Sequence, residues 1–167
     1  MDIAVDTRLL LFGKLDGIGW FTRECFLRIT RRHPEHTFHF LFDRPYHPEF
    51  VFGENVVPHV LYPQARHPIL FKIWYDFSVP RFLKKINPAL LVCPGPIASL
   101  RTRVPQLVVL HDLNFEHYPN DLRASHSRYL RKYSVQWARQ AQRIATVSEF
   151  SKSDIVSTYN IQPAKID

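Results

Sequence analysis

The sequence predicts an α/β fold in which a mainly parallel sheet lies between two layers of helices. Three observations support this prediction. Short apolar segments alternate along the chain with longer segments of helical periodicity. Segments 89–93 and 106–110 are almost continuously apolar, which is typical of parallel strands covered on both faces. At 167 residues, the chain is long enough for one domain with a substantial core.

The first half of the chain predicts three strands and one helix. Residues 2–7 form a short apolar strand, and residues 37–43 alternate so that three phenylalanines share one face. The third strand, 56–62, contains Pro58, which lacks an N–H for the ladder and therefore indicates a sheet edge. Residues 18–32 have the spacing of an amphipathic helix. Its predicted buried stripe consists of Ile18, Phe21, Cys25 and Ile29.

The second half of the chain predicts three more helices, two before the strand at 143–147 and one after it. Residues 68–86 predict a helix that Pro80 breaks or kinks. Its approximate apolar stripe consists of Ile69, Ile73, Phe77 and Phe82. A long helix at 122–142 has an inner side comprising Leu122, His126, Tyr129, Tyr133, Trp137 and Ala141. The remaining residues predict a strand at 143–147, a helix at 148–159 and the approach to another strand at 161–167.

The composition narrows the class of protein. Apolar residues make up 46% of the chain and charged residues 22%, which is a globular composition. No apolar run approaches the ~20 residues of a membrane-spanning helix. Asp2 and Asp6 stand where a secretory signal carries basic residues, so the cytoplasm is the expected compartment. Cys25 and Cys93 are expected to be buried thiols, since two cysteines in separate elements form no disulfide framework.

The net charge of +7 is concentrated in residues 122–152, which carry seven basic side chains and one acidic side chain. Such a charge can meet nucleic acid, an anionic membrane surface or an anionic substrate. One helix face carries Arg128, Lys132, Arg139 and Arg143. We expect this face to be solvated, and its contact with anionic lipid or with a partner domain is the more specific hypothesis.

The stretch 13–21, GKLDGIGWF, holds three of the five glycines at the start of the predicted first helix. At Gly17, Ile18 and Gly19 the backbone N–H groups lack helical partners, so an anionic or hydroxyl-rich ligand can approach, and glycine leaves room for it. A role confined to the loop and the helix entry is equally open. A dinucleotide site is disfavoured, because Thr22 replaces the third glycine of that fingerprint and about ten residues precede Gly17 after the strand.

Two more candidate sets follow predicted strands. The sequence HDLN at 111–114 places His111 at a strand's carboxyl end, where a histidine can bind hydroxyls or transfer protons near neutral pH. The alternative is that the local turn satisfies His111 while Asp112 caps it. Ser148 is predicted to cap the last helix, with Glu149 favourably placed in its first turn. Capping alone is a sufficient explanation of Ser148.

Three segments carry a resemblance to a known family. They are DTRLLLFGKLDGIGWFTRECFLRI after the opening strand, VVLHDLNFEHYP, and RIATVSEFSKSDIV after a long helix. In this order and spacing the chain resembles the N-terminal half of a family 4 (group 1) glycosyltransferase of the two-domain GT-B type. The resemblance implies that residues 1–167 form one Rossmann-like, acceptor-side domain. It also implies transfer of a sugar from a nucleotide-linked donor to a glycan, lipid or polysaccharide-precursor acceptor, with retention of anomeric configuration and without a required metal or cofactor.

The resemblance also implies roles for residues. His111, and less directly Asp112, contact the transferred sugar and stabilise the transition state. The glycine pair with Ile18 lies beside the cleft, and the loop 114–121 that begins at Asn114 flanks the acceptor, with Ser148 and Glu149 on the same side. In such enzymes a second domain binds the donor through two glutamates eight residues apart, and no two glutamates here have that spacing. We therefore expect the donor-binding domain to be absent and this chain alone to be inactive or nearly so.

Other function classes stay open at this point. A non-enzymatic basic α/β module would bind nucleic acid or an anionic membrane surface through the helix at 122–142. A dinucleotide-binding oxidoreductase domain is a third, weaker alternative. No nucleic-acid partner is expected for a glycosyltransferase, and the basic stripe of Arg128, Lys132, Arg139 and Arg143 is the candidate surface for peripheral contact with the inner face of a membrane. No metal is expected. The three histidines closest together in sequence are His33, His36 and His39, and they are spread over a helix end, a turn and a strand.

Overall fold

A computed structural model describes all 167 residues and contains one six-stranded sheet. The strands are β1 (Asp2–Asp6), β2 (Thr37–Phe42), β3 (Val56–Val60), β4 (Leu90–Cys93), β5 (Gln106–Val109) and β6 (Arg143–Ala145). Every neighbouring pair is parallel, and the order across the sheet is β3-β2-β1-β4-β5-β6. The predicted edge position of the Pro58 strand is confirmed. Ile166 adds a single parallel bridge to Ile144, next to β6.

The helices are α1 (Gly17–Arg32), α2 (Pro68–Ile73), α3 (Val79–Ile86), α4 (Asn114–His117), α5 (Ala124–Gln140) and α6 (Glu149–Tyr159). A π-helical turn, Trp74–Ser78, joins α2 to α3. Short 3₁₀ turns lie at Pro48–Phe50, Pro119–Asp121 and Pro163–Lys165. None of the helices is both long enough and apolar enough to cross a bilayer.

Two apolar cores lie on opposite faces of the sheet, as the three-layer prediction requires. Successive strand residues point to opposite faces, so Ala4 contributes to one core and Val5 to the other. The larger core packs the sheet against α3, α5 and α6. The smaller core packs it against α1 and contains the three phenylalanines of β2, Phe38, Phe40 and Phe42, which confirms the predicted alternation.

The predicted inner stripe of α1 is wrong by one residue. The buried face consists of Gly19, Thr22, Phe26 and Thr30, whereas Ile29 is exposed. Two threonines can face the sheet because each hydroxyl donates to a carbonyl of its own helix, Thr22 to Ile18 at 2.7 Å and Thr30 to Phe26 at 2.8 Å. Periodicity alone cannot find this face, since it ranks threonine and glycine as outward-facing residues.

The predicted stripe of the helix at 68–86 is also wrong. Ile69, Ile73 and Phe77 are exposed, while Trp74 and Tyr75 are almost wholly buried. The break expected at Pro80 is present as the π-helical turn before it, because a wider turn makes room for a ring that has no N–H and crowds the preceding turn. Trp74 and Tyr75 lie in this turn and belong to the larger core.

The other predicted elements differ in their ends and exposure. The long helix starts at Ala124, and Leu122 lies exposed before it, contrary to its predicted inner position. Tyr129 and Trp137 are buried as predicted. Cys93 is fully buried and Cys25 only partly, so the prediction of buried thiols is confirmed for one of the two.

Candidate functional site

The strand order places the candidate site at the carboxyl edge of the sheet. The chain leaves β1 first toward β2 and β3, and later returns to β4 on the other side of β1. Such a reversal opens a crevice beyond the carboxyl ends of the two central strands, where ligands of open parallel sheets bind. The loops after β1, β4, β5 and β6 all begin at this edge, and the first turns of α1 and α6 lie there as well.

His111 follows β5 and is held on two sides. Its Nε2 lies 2.8 Å from the carbonyl oxygen of Pro94, at the end of β4. A carbonyl only accepts hydrogen bonds, so Nε2 must carry the proton and Nδ1 of the neutral ring is an acceptor. The Phe21 ring of α1 meets the imidazole edge-on, with centroids 4.8 Å apart. His111 is half-buried, and its Nδ1 has no hydrogen-bond partner within the chain.

Asp112 and Asn114 lie beside this histidine on the surface. The Asp112 Oδ1 accepts the backbone N–H of Asn114 at 2.9 Å and so closes the turn that begins α4. The local capping anticipated for Asp112 is therefore present, and its other carboxylate oxygen stays free. The short helix α4, which follows β5, is anchored to α6, because Glu116 accepts from the Tyr159 hydroxyl at 2.9 Å and His117 meets Asp154 at 2.9 Å.

Ser148 caps α6 as predicted. Its Oγ accepts the N–H of Ser151 at 3.1 Å, and the two hydroxyls lie 3.0 Å apart. Glu149 is the first residue of the helix and is exposed at the same edge of the sheet. Val147 and Phe150, on either side of this pair, leave 56% and 82% of their surface to solvent.

The glycine loop is built differently from its sequence-based interpretation. The Asp16 side chain caps α1 and takes the N–H of Gly19 at 2.8 Å, so that donor and the local positive potential are already used. A Cβ on Gly19 would lie 2.8 Å from the carbonyl oxygen of Leu9. The space at Gly19 is filled by the chain itself, which corrects the expectation that glycine leaves room there for a ligand. Gly17 is exposed with open space around it, and Ile18 is half-buried.

A buried polar cluster at the end of β1 was not among the predicted site residues. Arg8 is 8% exposed, and its Nε donates to the Tyr75 hydroxyl at 2.7 Å. That hydroxyl donates to Asp6, which also accepts the backbone N–H of Arg8 at 3.1 Å. Burial raises the pKa of Asp6 more than the nearby Arg8 lowers it. The available signal was the polar sequence Asp6-Thr7-Arg8 directly after a buried strand, whereas Tyr75 is a partner that only the fold supplies.

In a dinucleotide-binding domain, an acidic residue at the end of the second strand binds the ribose, and Asp43 holds that position here. It is fully buried at the end of β2, and both carboxylate oxygens are engaged. Arg44 donates to them at 2.6 and 2.8 Å, and the backbone N–H of Ala65 donates at 2.8 Å. A carboxylate bonded in this way does not reach out to a ribose, so this aspartate serves the structure.

The basic face of α5 is exposed, in agreement with a solvated surface. Arg128, Lys132 and Arg139 lie on α5, whereas Arg143 is the first residue of β6, which corrects its predicted place on that helix face. All four side chains reach solvent. Arg143 is nevertheless paired with Asp167 and donates to the carbonyl of Ala164, so its charge is neutralised within the chain. Contact of this helix with an anionic membrane stays a prediction.

One group of potential metal ligands lies away from the candidate site. Atoms of His33, Glu35 and His36 that can bind a metal lie within 4.8 Å of one another. They precede β2 and therefore stand at the amino edge of the sheet. His39 is not part of this group, because its Nδ1 meets Nε2 of His59 at 3.0 Å instead.

Comparisons with known proteins agree with this geometry. Residues 16–167 match Glycosyltransferase Family 4. The apo form of the lipopolysaccharide outer core galactosyltransferase WaaB is similar in structure, with a TM-score of 0.63 and 13% sequence identity. The match covers 100% of this chain and 44% of that chain, so the present chain spans less than half the length of WaaB. No curated protein matches the sequence. The parallel sheet, its helices and the family match together identify the chain as a member of glycosyltransferase family 4, with the fold of the N-terminal domain of a GT-B glycosyltransferase.

Proposed function

We propose that this chain is the acceptor-side domain of a retaining glycosyltransferase whose donor is a nucleotide sugar. The observation that carries the proposal is the placement of His111 at the crevice, held by Pro94 and Phe21, in a family 4 domain. Its unpartnered Nδ1 is an acceptor in the neutral ring, so it can take a hydrogen bond from a hydroxyl of the transferred sugar. A group fixed before the reaction stabilises developing charge without the cost of reorganising water.

The remaining candidate residues border the acceptor in this proposal. Asn114, Ser148 and Glu149 are exposed at the same edge, on the loops after β5 and β6. Gly17 and Ile18 lie on the opposite side of the crevice. The free oxygen of Asp112 offers a second acceptor for sugar hydroxyls. The donor nucleotide is bound by a second domain, and transfer needs no metal ion. Residues 1–167 alone are then inactive, because a transition state in a crevice between domains needs both walls.

The experiment compares two histidine variants in the protein that includes the second domain. Release of nucleoside diphosphate from a set of nucleotide sugars, with water as acceptor, measures use of the donor without a known acceptor. We expect His111→Ala to lower this rate by about 10²- to 10³-fold, as removal of one transition-state donor or acceptor does. His33→Ala is the matched control, because His33 is exposed at the amino edge and contacts only Glu35 and His36.

Four results would contradict parts of the proposal. An unchanged rate in His111→Ala removes the catalytic role of that residue. Inversion of the anomeric centre in a transfer product, followed by NMR, removes the retaining mechanism. Donor consumption by residues 1–167 alone would show that the second domain is not needed. Loss of donor consumption on treatment of the two-domain protein with a chelator would show that the reaction needs a metal ion.

A further inference from the structure

A cleft of about 790 Å³ opens beside Arg8 at the carboxyl edge of the sheet. Five cationic side chains line it, and none of its lining residues is a carboxylate. The cations come from four separate segments: Arg8 and Lys14 from the loop after β1, Arg44 from the end of β2, Arg66 from before α2, and Arg123 from the start of α5. Segments so far apart in sequence converge on one cavity only through the fold.

The charges of the cleft are not balanced from within the chain. Asp6 lies beside Arg8 and Asp43 binds Arg44, so two of the five charges have a carboxylate partner. Lys14, Arg66 and Arg123 are exposed and form no ion pair or hydrogen bond through their side chains. With both carboxylates ionised, three positive charges remain uncompensated around one cavity. Like charges repel one another across such a space, so an anion that fills it relieves the repulsion.

The buried guanidinium of Arg8 adds fixed hydrogen-bond donors to this positive charge. A guanidinium that is nine-tenths buried needs fixed partners, and Nε has one in the Tyr75 hydroxyl. Its two terminal nitrogens have no hydrogen-bond partner in the chain, and they are the donors that remain for a ligand in the cleft. The guanidinium carbon lies over the Phe71 ring, 5.1 Å from its centroid, in a cation–π contact. A planar fork with free donors in a fixed orientation matches the oxygens of a phosphate.

A narrower apolar pocket adjoins the cleft. It has a volume of about 200 Å³ and shares the wall formed by Arg8, Leu9 and Phe71. Its other walls are mostly apolar and include Ile18 of α1 and Ile97 after β4, so it lies toward the loop that carries Pro94. A ligand in the basic cleft is therefore adjacent to the crevice at which sugar transfer is proposed.

We propose that the acceptor of this enzyme carries a phosphate or diphosphate ester, which the basic cleft binds through Arg8, Arg66 and Arg123. The statement that the bound ester is the acceptor rests on the proposed function, whereas the anion site itself is inferred from the cleft. Three uncompensated charges and a fixed guanidinium fork suit a di- or trianion better than a neutral glycan, whose hydroxyls leave these charges unpaired. The ester is either lipid-linked or part of a soluble sugar phosphate.

The first test is calorimetric titration of the full-length protein with inorganic diphosphate at about 0.15 M salt. The variant is Arg66→Ala/Arg123→Ala, which changes two exposed side chains without intrachain partners and leaves the buried cluster untouched. The control is Arg31→Ala/Arg32→Ala, which removes the same charge from exposed residues at the end of α1. We expect the variant to bind diphosphate about tenfold more weakly or worse, because charge-assisted hydrogen bonds are lost, and the control to bind as before. Equal effects in both, or no binding by the unchanged protein, would overturn the inference.

Two further measurements sharpen the assignment. One identifies the source of the ester, and the other tests whether the cleft binds the acceptor or the donor. Farnesyl phosphate and glucose 6-phosphate are monoesters of equal charge, so tighter binding of farnesyl phosphate assigns a lipid-linked acceptor, and the reverse assigns a soluble one. The KM for the nucleotide sugar in donor hydrolysis is expected to stay unchanged in Arg66→Ala/Arg123→Ala. A tenfold rise in that KM would make the cleft a donor site and overturn the assignment. Donor hydrolysis without diphosphate binding refutes the cleft alone, whereas cleft binding with unaltered activity in His111→Ala refutes the proposed function alone.

Discussion

Gly19→Ala tests whether this glycine is needed by packing. The new Cβ would lie 2.8 Å from the carbonyl oxygen of Leu9 and 3.1 Å from a methyl group of Leu15. Both neighbours belong to the loop between β1 and α1, and the first contact is with backbone, which cannot rotate away as a side chain can. Overpacking of this kind costs about 1–3 kcal/mol. The loop must move, and Leu9 lines both the basic cleft and the pocket beside it.

Gly17→Ala is the matched control, since no atom lies within 4 Å of a Cβ at that position. Both glycines are in the first turn of α1 with negative φ, so the gain from alanine, about 0.4–1 kcal/mol, is similar in the two variants and cancels in their difference. We therefore expect Gly17→Ala to be as stable as the unchanged protein or slightly more stable. Gly19→Ala is expected to be less stable than Gly17→Ala by about 1–3 kcal/mol.

Urea unfolding followed by far-ultraviolet circular dichroism measures this difference. A loss of stability lowers the midpoint at unchanged slope, since the surface exposed on unfolding is the same. In thermal unfolding the same loss lowers Tm by about 2–4 °C for each kcal/mol in a domain of this size. Equal midpoints for the two variants would show that the loop accommodates a methyl group without strain, and the packing explanation of Gly19 would then be wrong.

Two further predictions concern the α6 cap and the half-buried pair of His39 and His59. Ser148→Ala is expected to lower the free energy of unfolding by about 1 kcal/mol, because the N–H of Ser151 loses its acceptor, whereas Ser153→Ala on the exposed side of α6 is expected to have little effect in the same urea titration. Burial, with repulsion from His39 and Lys85, lowers the pKa of His59 to about 4 from 6.5. As the pH decreases, His59 therefore binds its proton at a higher pH in the unfolded chain than in the folded chain. The free energy of unfolding falls as the pH decreases from about 6.5 to about 4. His59→Gln is expected to reduce that dependence, measured as urea midpoints across this pH range, and His33→Gln to preserve it; equal slopes in the two variants would contradict the assignment.

The sequence by itself determined the elements whose causes are local. Alternation identified the phenylalanine face of β2, and Pro58 identified the edge strand, because a missing N–H excludes a residue from a central ladder wherever the strand lies. The capping of α6 by Ser148 was equally predictable, since the hydroxyl bonds a backbone group three residues away. His111 was identified as a candidate because it follows a strand, and its place at the sheet edge follows from that position alone.

Only the tertiary structure decided which helix faces are buried and which side chains meet. The face of α1 depends on threonines that bond their own helix, and the face of α2 and α3 depends on one wider turn before Pro80. Neither effect changes the hydrophobic pattern, so no count of spacings detects it. The role of Gly19 depends on a carbonyl ten residues earlier in the chain. The basic cleft depends on four segments that the parallel strand order brings together, because the carboxyl ends of all its strands meet at one edge.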